Sequence, residues 1–317
     1  MPAFEHHLLP VNGITLSLYT AGPADGRPVW LLHGFPECWY SWRLQAEPLA
    51  AAGYRVLMPE MRGYGESSAP EAIEDYALLT LCTDIQAAMD SLGQTQACVV
   101  GHDWGAPVAW HLALLEPERI RAVGAMSVPF GGRPKRPAIE IMREAHAGRF
   151  NYILYFQEPG VAEAELDADL DRSLRLLLSD LGDAVLRERP ADARMLDGLS
   201  ESPALPNWCD TDEFAVYQRT FAARGFRGAL NWYRNFTLNW QQTEHLAGQQ
   251  VRQPTLFMVG DHDPVARLEA YTLKRMADLV PQLEQHRLPD CGHWLQNERP
   301  EQVNAHLLDF LARHYPA

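Results

Sequence analysis

The stretch Val99-Val100-Gly101-His102-Asp103-Trp104-Gly105-Ala106 constrains this chain more than any other. Two β-branched residues run into a Gly-x-Asp-x-Gly turn, and a helical pattern opens at Pro107. That succession predicts a strand, a sharp turn and a helix, the setting of a nucleophile elbow, whose central side chain stands exposed above the end of a sheet. Such a turn strains its central residue and needs small neighbours, which Gly101, Gly105 and Ala106 supply. Taken alone, the pentapeptide also reads as a strand-to-helix turn with an Asp N-cap. The rest of the chain weighs against that reading.

The residue at the apex is Asp103, a carboxylate where an esterase would carry serine. A carboxylate needs no base to become a nucleophile at neutral pH. It attacks a carbonyl to no useful end, but it can displace a leaving group at an sp³ carbon. Ring-opening of an epoxide and displacement of a halide are the two reactions this suggests.

Before the elbow, residues Phe4 to Thr20 predict two strands broken at Asn12-Gly13, a hairpin signal. Val29 to Leu32 is a short buried strand that enters His33-Gly34-Phe35-Pro36. In a hydrolase built on an elbow, the loop after this strand supplies one backbone N–H of an oxyanion hole. Phe35 is the candidate donor, with the N–H of Trp104 as its partner, although the stretch by itself is a Gly-Pro turn closing a strand. A helix over Ser41 to Ala52, a strand over Tyr54 to Met58 and a helix carrying Leu78, Leu81, Ile85, Ala88 and Leu92 follow. Beyond the elbow strand (Ala97 to Val100) a helix runs to about Glu116, and Ile120 to Val128 is another strand. Alternating strands and helices predict an α/β fold with a mostly parallel central sheet flanked by helices.

The alternation stops at Gly131. To about Gly248 the pattern is helical, over Val161 to Leu178, Glu213 to Ala223 and Ala229 to Trp240, with Pro-rich joints at Arg133 to Pro137 and Ser202 to Pro206. This block reads as an inserted helical cap, residues 131–248, in a core formed by 1–130 and 249–317. The α/β pattern resumes with a strand over Thr255 to Val259 and a helix over Leu268 to Leu279. A last strand, Glu284 to Leu288, leads to a closing amphipathic helix with Val303, Leu307, Phe310 and Leu311 on one face.

Composition removes several function classes. With 27 Lys and Arg against 41 Asp and Glu, the net charge is −14, which disfavours nucleic acid or an anionic membrane as partner. The five cysteines lack Cys-x-x-Cys spacing and read as reduced thiols of a cytoplasmic protein. No His-Glu-x-x-His pattern suggests a metal, the Gly-rich loop Met61 to Ser68 lacks the Gly-Lys-Ser of a phosphate cradle, and no cofactor is implied. The N-terminus shows no secretory signal, and no apolar run is long enough to span a bilayer.

Asp103 follows one strand, Asp263 another and His293 the last, the order nucleophile, acid, histidine of hydrolases with this elbow. Catalytic groups of open α/β sheets gather at the carboxyl ends of strands, so the three can meet. His293 is the candidate general base, and Asp263 the acid that orients it, with Asp261 a rival two residues away. An epoxide oxygen leaving as alkoxide needs an acid. Tyr152 and Tyr233 are candidates, since a phenol donates while neutral at pH 7; singly, each reads as a packing residue.

The stretches His33 to Glu37, Gly63 to Ser68, Gly101 to Gly105, Tyr155 to Glu163, Gly225 to Gly228, Asn231 to Asn235 and Asp290 to Trp294 carry a resemblance. The chain resembles the soluble epoxide hydrolases of the α/β-hydrolase family, and is similar along nearly its whole length to the hydrolase domain of the vertebrate enzyme. The resemblance does not extend to that enzyme's N-terminal phosphatase domain. It implies an α/β-hydrolase fold with a helical cap, Asp103 as nucleophile, Asp263 as acid, His293 as base, and Tyr152 and Tyr233 as the pair that binds the epoxide oxygen. It also implies that Phe35, Trp104, Phe150, Trp232, Phe236 and Trp294 lie about the substrate. The partners expected are a small apolar epoxide and water, in a monomer or homodimer. Haloalkane dehalogenases, the alternative, usually carry Asn where this chain has Phe35, and fluoroacetate dehalogenases carry Arg where it has Trp104. Both departures favour a neutral, apolar substrate.

Overall fold

The computed structural model describes residues 4–179 and 181–317. Its strands are β1 (Glu5–Val11), β2 (Ile14–Ala21), β3 (Arg27–Leu32), β4 (Tyr54–Glu60), β5 (Ala97–His102), β6 (Ile120–Met126), β7 (Thr255–Gly260) and β8 (Leu283–Leu288). They form one sheet in the order β1-β2-β4-β3-β5-β6-β7-β8. The hairpin expected at Asn12-Gly13 pairs β1 with β2, and β2 lies antiparallel to β4; all other pairs are parallel. Every residue of β5 and of β7 is buried, as strands covered on both faces must be.

The chain path explains how the faces are covered. From β3 the chain steps back to β4, then forward past β3 to β5 and on to β8. Right-handed crossovers therefore put the helix after β3 on one face and those after β4 and β5 on the other. Accordingly Arg43–Ala51 packs with the last helix, Pro300–His314, while Leu78–Ser91 packs with Gly105–Leu115. The reversal at β3 and β5 opens a crevice at the carboxyl ends of the central strands, where the elbow sits.

Between β6 and β7 the chain is helical, and among the described residues it contains no strand. Two helices expected to be continuous are broken. Val161 to Leu178 forms Val161–Leu166 and Leu170–Ser179. Here Asp169 accepts the Arg172 N–H and starts a new helix, while Asp167 is drawn off to the Phe226 N–H. Ala229 to Trp240 forms Arg227–Arg234 and Phe236–Gln242. The Asn235 amide donates to the carbonyls of Asn231 (2.8 Å) and Ile73 (2.7 Å), ending one helix and tying it to the core. Further ties are Trp232 Nε1 to the Arg62 carbonyl (3.0 Å), Leu78 N–H to Asn239 Oδ1 (2.7 Å), and the Arg43–Glu213 ion pair (2.7 Å).

β6 also ends earlier than expected, at Met126 rather than Val128, because Ser127 takes a left-handed conformation (φ +70°) that an extended strand cannot hold.

Backbone meets backbone closely at the elbow. A Cβ on Gly101 would run into the Gly105 carbonyl, backbone that cannot give way without moving the turn. Gly101→Ala is expected to lower stability by about 1–3 kcal/mol, the cost of overpacking a filled interior. Urea unfolding reads this; an unchanged midpoint would mean the strand and helix can separate there at no cost.

Candidate active site

Asp103 stands at the end of β5 with φ +48°, the strained left-handed conformation an elbow imposes. Its side chain is 13% exposed. Oδ1 accepts the Phe35 N–H at 2.7 Å, and the Trp104 N–H also reaches the carboxylate. The loop after β3 can come this close because residue 34 has no side chain: a Cβ on Gly34 would fall on the Asp103 carboxyl. Burial raises the Asp103 pKa above the ordinary carboxylate value, against the pull of His293, His102 and the two N–H groups.

His293 follows β8. Its Nε2 lies 3.7 Å from Asp103 Oδ2, and its Nδ1 lies 3.0 Å from Asp263 Oδ1. Asp263 follows β7 and is 2% exposed. It does two things with one oxygen. As N-cap of the helix Pro264–Leu268, its Oδ1 accepts the Val265 N–H (2.9 Å), which fixes the carboxylate before it meets the histidine. Asp261 turns elsewhere, to the Cys291 N–H (3.2 Å) and the His262 ring (3.3 Å), so the rival carboxylate does not reach His293. Burial opposes a charge on His293, but Asp263, then Asp103 and Glu37, outweigh it and raise its pKa to about 9. Burial likewise works against the Asp263 carboxylate; His293 and the hydrogen bonds to it win, and its pKa falls below the usual value.

A cavity of about 270 Å³ opens from Asp103. Of the residues singled out in the sequence, Asp103, Trp104, Tyr152, Tyr233 and Phe236 line it. Tyr152 and Tyr233 come from different helices, with ring centroids 6.0 Å apart. Asn151 caps the short helix Tyr152–Tyr155 by accepting the Leu154 N–H. Gln157 then reaches across to the Tyr233 carbonyl (2.9 Å), and Arg234 to the Phe156 carbonyl (2.9 Å) and, through both ends, to Glu163 (2.7 and 2.8 Å). Burial, then the charge of Asp103, raises both phenol pKa values well above 10, so both hold their protons at neutral pH.

Four expected pocket residues lie off this cavity. Phe35 gives its N–H to Asp103, and its ring packs on Phe156, Phe226 and Tyr233. Trp232 is fully buried behind Trp104. Phe150 packs outward beneath the Arg189 guanidinium. Trp294 lines a separate cleft on the far side of His293, beside Trp208. An aromatic residue next to a site residue in sequence need not face the same way.

Sequence reasoning missed three residues. Glu37 and His102, both fully buried, pair at 2.7 Å; Glu37 also accepts the Gly34 N–H (2.9 Å), and His102 Nε2 meets the His293 carbonyl (2.8 Å). Ser127 Oγ lies 3.0 Å from His293 Nδ1. Glu37 and His102 fall inside motifs that were recognised, but no spacing rule pairs them. Ser127 carries no sequence signal.

The arrangement, a carboxylate at an elbow beside a His–Asp pair and two backbone N–H donors, is that of a hydrolase. Residues 27–300 match the model of the alpha/beta hydrolase fold family, and the chain belongs to that family. It is similar to Epoxide hydrolase A of Mycobacterium tuberculosis (44% identity, 98% of each chain). It is 41% identical to Bifunctional epoxide hydrolase 2 of Sus scrofa, with 98% of this chain matching 55% of that protein. Among solved structures it resembles Epoxide Hydrolase A from Mycobacterium thermoresistibile (TM-score 0.92, 44% identity, 98% of each chain). It also resembles potato (Solanum tuberosum) epoxide hydrolase I (TM-score 0.87, 34% identity, 98% of this chain and 100% of that one).

The contrast between the two aspartates is testable without substrate. Asp263→Asn should lower the His293 pKa from about 9, because the lost charge is the chief one favouring the imidazolium. Asp261→Asn should leave it in place. Imidazole resonances followed against pH by NMR check this, and a His293 that responds to residue 261 instead would overturn the assignment.

Proposed function

We propose that this protein is an epoxide hydrolase that opens small apolar epoxides to vicinal diols. The observation that carries the reading is one cavity with a buried carboxylate nucleophile at its base and two proton-holding phenols on its wall. The epoxide hydrolases to which the chain is similar support it. Halide displacement by the same aspartate finds less support, since those relatives act on epoxides and residue 35 is Phe.

In the first half-reaction Asp103 attacks a ring carbon. The C–O bond breaks, and the leaving oxygen takes a proton and hydrogen bonds from Tyr152 and Tyr233. This leaves an alkyl ester on Asp103. In the second, His293 removes a proton from water as its oxygen attacks the Asp103 carboxyl carbon, and the N–H groups of Phe35 and Trp104 stabilise the oxyanion. The bond from that carbon to the alkyl oxygen then breaks, His293 returns its proton to the departing diol oxygen, and the proton left on the regenerated Asp103 carboxyl replaces the one taken from the phenol.

The electrostatics time the two steps. In the resting site Asp263, Asp103 and Glu37 hold His293 charged. Esterification removes the charge of Asp103, so His293 loses part of that support and its pKa falls, which frees it to act as base. Residues 131–248 act as the cap that presents both phenols to a site built by 1–130 and 249–317. Among the described residues no helix is long and apolar enough to cross a membrane. The five cysteines are unpaired and buried, which supports a cytoplasmic setting.

Purified protein given styrene oxide, aliphatic epoxides and haloalkanes should yield diol and no halide, and Asp103→Ala should abolish turnover. His293→Gln should accumulate the ester, seen as a mass increase on the peptide holding Asp103. Halide without diol would overturn the reading. The rate of ester hydrolysis should rise with pH through an acid limb below the resting His293 value of about 9, since the base must be neutral and the ester has removed one carboxylate. A limb at the resting value, read in single turnovers, would disprove the timing.

A further inference from the structure

The sheet order places one strand end, that of β6, between the strand that carries the nucleophile and the strand that carries the acid. Ser127 occupies that end. It is fully buried, and its Oγ is as close to His293 Nδ1 as Asp263 is, 3.0 Å in each case.

Its backbone sets it apart. The non-glycine residues with positive φ are Asn12, Asp103, Ser127 and Asp290 among the described residues. Asn and Asp tolerate the left-handed region by bonding locally, and Asp103 is the elbow itself. Ser127 alone has neither reason, and glycine would sit there without strain. A strained residue persists where its side chain is needed.

The hydrogen-bond roles follow from the neighbours. The Asp263 carboxylate can only accept, so Nδ1 of His293 carries the proton. Ser127 Oγ is therefore a second acceptor for that N–H, and its own hydroxyl proton remains free. The hydroxyl lies beside the Asp263 carboxylate and helps hold it ionised. Asp263 Oδ2 is buried and takes no hydrogen bond from any other described residue, so it is open to a donor.

We infer that Ser127 is a positioning residue for ester hydrolysis: it bridges Asp263 and His293, aims Nε2 toward Asp103, and steadies the imidazolium as it forms. This rests on the epoxide hydrolase reading. The first half-reaction does not require His293 to move a proton, so the contribution of Ser127 is confined to the second.

The test is a comparison of Ser127→Ala and Ser127→Gly with the wild type, using styrene oxide and stopped-flow tryptophan fluorescence to separate ester formation from hydrolysis. Ester formation should be unchanged. Hydrolysis should slow about tenfold in both variants, the effect of one lost hydrogen bond to a developing charge. At steady state kcat and KM should then fall together, with kcat/KM preserved. A merely structural role would lower kcat/KM as well. Ser127→Gly guards against failure to fold, because glycine relieves the backbone that alanine leaves strained. Wild-type hydrolysis rates in both variants, or a defect in the alanine variant alone, would overturn the inference while leaving the wild-type diol reaction standing. A wild type that forms no diol would overturn both.

Discussion

The site depends on a backbone strained at one residue. Asp103 is held at φ +48° where β5 turns into the next helix, and this lifts its carboxylate clear of the sheet. The strain is sustained because the surroundings leave no alternative. Strand and helix meet at Gly101 closely enough to exclude a Cβ, and Gly34 lets the loop after β3 lie against the carboxylate. The first contact holds the turn, and the second brings the Phe35 N–H to the Asp103 carboxylate.

Beneath this lies a buried polar network that would be costly if incomplete. Glu37 accepts from Gly34 in the loop after β3, from His102 in β5, and from Gln296 beyond His293. His102 in turn meets the His293 carbonyl. One carboxylate therefore ties together the three segments that carry Phe35, Asp103 and His293. Removing one partner of such a pair leaves an uncompensated buried charge, at a typical cost of about 3–5 kcal/mol. The site is rigid because its supports are charged and enclosed.

The phenols are positioned by a different logic. They come from the helical insertion, where short helices are held by side chains and not by a sheet. Gln157, Arg234 and Glu163 fix the spacing between the helix of Tyr152 and that of Tyr233. Asn235, Asn239 and Trp232 fasten the insertion to the loops of the core. The core thus places the Asp103 carboxylate, and the insertion places the two phenols that face it across the cavity.

Much of this was legible in the residues alone. The alternation of strands and helices, the elbow and the order of Asp103, Asp263 and His293 follow from local patterns, since periodicity and turn chemistry act over a few residues. Tyr152 and Tyr233 were legible only through resemblance, because nothing local separates a phenol facing a cavity from one in a core. Which aspartate faces His293, and that Phe35, Phe150, Trp232 and Trp294 turn away from the cavity, was decided by tertiary structure. So were the breaks at Asp169 and Asn235, where side chains found partners distant in sequence or capped a new helix. Ser127 and the Glu37–His102 pair lie beyond any sequence rule: their partners are brought together by parallel strands whose ends converge, and convergence is a property of the sheet. Sequence determined which chemistry each strand end could carry; packing decided which of those groups touch, because hydrogen bonds act over about 3 Å and the contacts beneath the site span up to 259 residues of chain.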